Sequence, residues 1–134
     1  MNKRILNVIN ELKNLRHLTP ASKNDVLKAE AALGLSLAEE YKDYVLSYGV
    51  ITAKKVDITG VCESKRLSVV DVTLEEKNFN SDIPADMYVI ESTGIEGIVI
   101  LQDSLGSIYR LNPGRKPEKI FDCLADYLLD LQKE

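Results

Sequence analysis

The chain has 134 residues, 45% of them apolar and 28% charged, and 17 Lys and Arg against 21 Asp and Glu leave a net charge of −4. A chain this long buries roughly two-thirds of its unfolded surface and needs neither metal nor disulfide to hold one core, so a single domain over 1–134 is expected. The mild acidity argues against direct nucleic-acid binding, which rests on clustered Lys and Arg, and apolar runs of four residues at Met87–Ile90 and Ile98–Leu101 fall far short of the roughly 20 that span a bilayer.

Residues 3–16 carry Ile5, Ile9, Leu12 and Leu15 at helical spacing, and Thr19-Pro20 ends that helix. A second helix opens at Ser22 and runs through Val26, Leu27 and Ala29 to Leu33, with Gly34 at its left-handed stop. For the third, Ser36 followed by Glu39 reads as a capping box; Leu37, Tyr41, Tyr44, Val45 and Tyr48 form one apolar stripe, and Gly49 terminates it. The tyrosines fit a core stripe with each hydroxyl reaching its boundary for a partner.

Val56, Ile58, Thr59 and Val61 then favour a short strand. The 68–78 stretch stays open between helix and strand, because Ser68 and Asp71 resemble a helix start while Val69, Val70, Val72 and Thr73 are β-branched. After a turn-rich loop from Asn78 to Pro84, three strands at Met87–Glu91, Ile98–Leu101 and Ser107–Leu111 are joined by short glycine-bearing connections, the pattern of an antiparallel meander. Asn112-Pro113-Gly114 closes the sheet, and Ile120, Phe121, Leu124, Tyr127, Leu128 and Leu131 mark a last amphipathic helix. The fold class is therefore α+β: a mostly antiparallel sheet covered by the N-terminal helices and a C-terminal helix.

Little in the chain signals chemistry. Cys62 and Cys123 stand alone, without Cys-x-x-Cys spacing or a nearby His, which predicts reduced thiols, no metal centre and a cytoplasmic location. Asn7, Asn10 and Glu11 interrupt any secretory apolar region, so no export signal is expected. His17, the one histidine, falls at a helix end with no nucleophile motif beside it. No phosphate-binding glycine loop occurs, and no cofactor is expected. One charge feature rises above this background: from Asp57 to Asp103, ten acidic residues against three basic ones give −7, leaving +3 for the rest. A negative surface there would steer a cationic partner.

The segment Leu33-Gly34-Leu35-Ser36-Leu37-Ala38-Glu39-Glu40-Tyr41-Lys42-Asp43-Tyr44-Val45-Leu46-Ser47-Tyr48-Gly49 resembles the signature of the SUKH superfamily. Later segments match in order: Val70–Thr73, Pro84 before a strand, the paired strands around Gly94 and Gly97, and a closing aromatic helix at Phe121–Leu131. Ala38 replaces the usual proline, Tyr48 stands where asparagine is common, and the chain has no Trp. The resemblance implies an α+β binding module without an active site. Many bacterial members are immunity proteins that bind and neutralise polymorphic toxins, nucleases among them, and a fungal branch is associated with cell-wall synthesis.

The function expected is a cytoplasmic, non-enzymatic immunity protein that neutralises a cognate, cationic toxin by binding it. The acidic residues singled out are Glu91, Glu96 and Asp103, near loop ends of the sheet, followed by Asp57 and Glu63. The alternative is an intracellular scaffold or regulatory domain that binds an endogenous protein or peptide beside the third helix.

Overall fold

A computed structural model describes residues 3–133, and within them five helices and seven strands form an α+β domain with two antiparallel sheets, the expected fold class. Helix α1 (Lys3–Asn10) buries Ile5 and Ile9 on one face. It stops short of residue 16: Asn14 turns the chain through φ 60°, and Arg16–His17 extends as β1 against β2 (Ile51–Ala53). Asparagine tolerates that left-handed conformation, and a strand partner 34 to 36 residues away is invisible to local periodicity.

Helix α2 (Lys23–Leu33) holds the reciprocal cap of this chain. Ser22 Oγ accepts the Asp25 N–H (3.0 Å), Asp25 Oδ2 accepts the Ser22 N–H (3.1 Å), and Gly34 closes the helix at φ 68°. Helix α3 (Glu39–Tyr48) has no such cap, contrary to the Ser36–Glu39 expectation, and its N-cap is Ala38. The segment that enters it is held by distant acceptors: Leu37 N–H donates to Glu30 Oε2 (2.9 Å) and Ala38 N–H to Tyr88 Oη (3.0 Å).

Strand β3 (Val56–Ile58) pairs with β2 across the Lys54-Lys55 turn. The open 68–78 stretch is helix α4 (Val69–Phe79), started by Ser68 Oγ accepting the Asp71 N–H and anchored by buried Val69 and Thr73. Next come β4 (Met87–Ser92), β5 (Val99–Asp103), β6 (Ile108–Leu111) and β7 (Glu118–Phe121), a meander in the order β4-β5-β6-β7. Ile120 and Phe121 thus belong to a fourth strand rather than to the closing helix, α5 (Leu124–Leu131). Pairing with β6 claims their backbone groups, and their helical spacing with Leu124 is a coincidence of two adjoining patterns.

Alternation along the meander sends its two faces to two cores. Tyr88, Ile90, Ile100 and Ile108 join the main core with α1, α3 and α5, while Val89, Val99, Leu101 and Leu111 meet Ile83 and Met87 on the other face. Tyr41 and Tyr44 are fully buried, and their hydroxyls do not reach the boundary. Both donate to Thr59 O (3.0 and 2.9 Å); Tyr44 Oη also accepts the Ile51 N–H (3.0 Å), and Thr59 Oγ1 donates to Val89 O (2.9 Å). This network stitches α3 to both sheets, and burial pushes both phenols far above the usual tyrosine range. Tyr48 instead lies half-buried, edge-on to the His17 ring at 5.3 Å.

Candidate interaction surface

The bottom of the fold is locked by a second buried network centred on Glu40, which is 6% exposed. Its Oε1 accepts the Leu124 N–H (2.7 Å) and Gln102 Nε2 (3.1 Å), and its Oε2 accepts the Ala125 N–H (3.0 Å). A carboxylate thereby occupies the N-terminus of α5, where two orphan backbone donors point. Gln102 passes the chain onward, donating to Gly106 O (3.0 Å) and accepting the Tyr88 hydroxyl (2.7 Å). Burial raises the Glu40 carboxyl above its ordinary range despite those donors. These bonds are spent on holding α3, β5 and α5 together, so this carboxylate serves the fold.

The sequence-selected acids divide by their hydrogen bonds. Asp103 is consumed by the β5–β6 turn: Oδ1 accepts the Leu105 and Ser107 N–H groups (3.1 and 3.0 Å), and Oδ2 accepts the Tyr109 hydroxyl (3.0 Å). Opposite Met87, it lies at the far end of the sheet from Glu91, whose partner is Ile100. Glu63 is exposed in the loop after β3, where it lines a separate cavity of about 270 Å³ with Asp25 and Lys28.

Asp57, Glu91 and Glu96 gather at the other end. Glu91 follows a bulge in β4, is half-buried, and accepts the Tyr127 hydroxyl from α5. Burial, with the nearby charge of Asp57, raises its carboxyl above the usual range. Asp57 is exposed on β3 and shares a small cavity of about 140 Å³ with Arg66 and Ser92; Ser92 Oγ donates to Glu76 Oε2 (3.1 Å). Glu96 is exposed in the β4–β5 loop at φ 48°, a conformation few residues other than glycine adopt. That loop is internally braced, with Thr93 Oγ1 donating to Ile98 O (2.8 Å) and accepting the Ile95 N–H (3.2 Å). It therefore presents Ile95, 63% exposed, beside Glu96 on a fixed frame.

Beside this loop runs a groove of about 390 Å³ between the meander and α5, walled by Ile95, Ile98, Ile100, Ile120, Phe121 and Tyr127. Asp130 and Arg110 carry its charge. Sequence reasoning missed it because Ile120 and Phe121 were assigned to the helix they face; the exposed Ile95 between Gly94 and Gly97 was the signal available. Chemically the groove can seat apolar side chains and meet a cation at Asp130, with Glu96 in the adjoining loop and Asp57 in a separate small cavity.

Both cysteines are free thiols, Arg4 Nη1 lying 3.3 Å from Cys123 Sγ. Among the described residues no three His, Cys, Asp or Glu side chains converge as metal ligands, and no helix is long and apolar enough to cross a membrane. His17 is in β1 rather than at a helix end, with its Nδ1 2.9 Å from Leu18 O.

What the scaffold defines is an α+β domain. Comparison with known families makes it specific: the family model described as SMI1-KNR4 cell-wall, SUKH_5, matches residues 4–133, and the chain belongs to that family. Domains of the family are generally binding modules without catalysis, and protein–protein interaction is their common role. No curated protein matches the chain significantly.

Proposed function

We propose that the chain is a cytoplasmic immunity protein that neutralises a cognate cationic toxin by covering its working surface. The observation that carries this reading is the groove beside the β4–β5 loop, whose apolar walls carry Asp130 and adjoin the exposed Glu96 of that loop. Apolar anchors supply the affinity of such contacts, while rim carboxylates set the encounter rate. A nuclease toxin fits best, because a groove built for phosphate is basic and these carboxylates would take the place of phosphate in it.

The test uses charge reversal that spares the fold. Asp57→Lys with Glu96→Lys should slow association with the toxin encoded beside this chain by about tenfold or more at low salt, with the difference shrinking as salt rises. Growth rescue completes it: expression of the chain should protect cells carrying that toxin and have no effect without it. Association rates insensitive to both salt and charge reversal, or a phenotype independent of the toxin, refute the reading.

A further inference from the structure

A cleft lined mainly by lysines lies between α1, the β2–β3 turn and α5. It measures about 480 Å³; Val8, Leu12 and Leu129 give it an apolar floor, and Lys13, Lys54 and Lys55 line it against a single acid, Glu11. Leu129 is 44% exposed although it lies on the closing helix of the core. The walls are tied in place rather than loosely apposed: Lys54 N–H donates to Lys13 O (3.0 Å), and Gln132 Nε2 donates to Lys54 O (3.2 Å). The same backbone that forms the two-residue turn thus fixes its spacing from both α1 and α5.

The turn carries an independent sign of use. Ala53 pairs with Val56, so Lys54 and Lys55 alone make the hairpin connection, and Lys55 stands at φ 65°. Tight hairpins place glycine or asparagine at such a position, because a Cβ there is strained. A lysine kept in this conformation sacrifices local stability to hold a positive charge at the cleft mouth.

We propose that this cleft is a second binding site, for an acidic amphipathic protein segment that sets aliphatic side chains on Leu12 and Leu129 and carboxylates among Lys13, Lys54 and Lys55. Charge complementarity selects an anion and the apolar floor selects aliphatic anchors. A nucleic acid fits worse, since no aromatic side chain lines the cleft to stack a base and the whole chain is negatively charged. Its lining shares no residue with the groove beside the β4–β5 loop, so the chain has two sites for two partners.

The experiment titrates the full chain with a synthetic helical peptide of about 14 residues, leucine on one face and glutamate on the other, and follows backbone amide shifts. Shifts should centre on Val8, Lys54 and Leu129, and binding should weaken with salt. Lys13→Glu with Lys54→Glu should lower affinity about tenfold or more, with circular dichroism unchanged. Lys55→Gly is the sharper variant: it should leave the fold as stable or more stable while weakening the peptide about threefold. Glu96→Lys, outside the cleft lining, should not alter the titration. Absence of shifts at the cleft, equal binding of a peptide with glutamine for glutamate, or tighter binding of a single-stranded DNA oligomer at the same amides would overturn the proposal.

Discussion

Replacing Glu40 by alanine tests whether one buried carboxylate joins three elements. The substitution strips acceptors from three donors at once: the Leu124 and Ala125 N–H groups and Gln102 Nε2. Each buried donor left without a partner costs about 1–3 kcal/mol. Part of that sum is returned, because burial already disfavours the ionised carboxylate. A net loss of about 3–5 kcal/mol follows, a large share of the 5–15 kcal/mol that typically holds a domain together. Glu40→Gln separates hydrogen bonding from bulk. Its remaining oxygen still serves the Leu124 N–H and Gln102, while its amide faces the Ala125 N–H, so one bond of three is lost and the cost falls to about 1–2 kcal/mol. Urea denaturation followed by circular dichroism, with the m-value checked for two-state behaviour, measures both. A loss below about 1 kcal/mol for Glu40→Ala, or equal losses for the two variants, would refute the view that this carboxylate caps α5.

Cap reassignment gives a paired prediction: Ser22→Ala should cost about 1 kcal/mol and Ser36→Ala nearly nothing, read by the same denaturation curves. At Gly49 and Gly60 an added Cβ would lie 2.2 Å from Thr19 O and 1.9 Å from Gly49 O, so alanine at either should lower stability by about 2–4 kcal/mol or abolish soluble expression. Tyr44→Phe leaves the buried Ile51 N–H without its acceptor and should cost about 1–3 kcal/mol, where Tyr48→Phe should be close to neutral. Glu91 supplies a pH test. Its folded carboxyl titrates above the ordinary 4.5, so the folded state holds that proton more tightly than the unfolded one. The stability this provides is complete below about pH 4.5 and is lost as pH rises through the raised value; the advantage of the parent over Glu91→Gln should therefore shrink from pH 4 to pH 7 in thermal melts.

Which parts of the fold were legible follows from the range of the forces involved. Helices α2 and α3 and strands β4, β5 and β6 announce themselves because period, cap and turn lie within a dozen residues. The spacing of Ser36 and Glu39 points to a capping box at α3, but that helix starts at Glu39 with Ala38 as its N-cap, which leaves Ser36 outside it; the box lies at Ser22 and Asp25 of α2. Strands β1, β2 and β7 are not legible in the sequence. Each is defined by the neighbour it pairs with, and Arg16–His17 has no apolar alternation at all. The site was legible only as charge. Counting acids from 57 to 103 located the negative region, but counting cannot separate a carboxylate closing a turn from one facing solvent, and the apolar groove needed Ile120 and Phe121 on a strand before it could be drawn.

That distinction decides where recognition can reside. Glu40, Asp103 and Glu91 differ in burial, but each accepts hydrogen bonds that fix one element to another, so altering them changes the scaffold along with any contact. Asp130 is exposed in the groove, Glu96 in the loop beside it and Asp57 on β3, and none of the three belongs to the two buried networks. A domain that must follow a changing partner needs this separation, because rim substitutions then alter affinity and encounter rate at little cost in stability. In this chain the tyrosine–threonine and glutamate–glutamine networks confine rigidity to the interior, where α3 meets both sheets and α5. They leave the β4–β5 loop and the outer face of α5 free to vary in charge. If function instead lay with the interior carboxylates, Glu40→Gln should abolish partner binding even where it leaves the protein folded. Binding that survives in Glu40→Gln and fails in Glu96→Lys would place recognition at the rim.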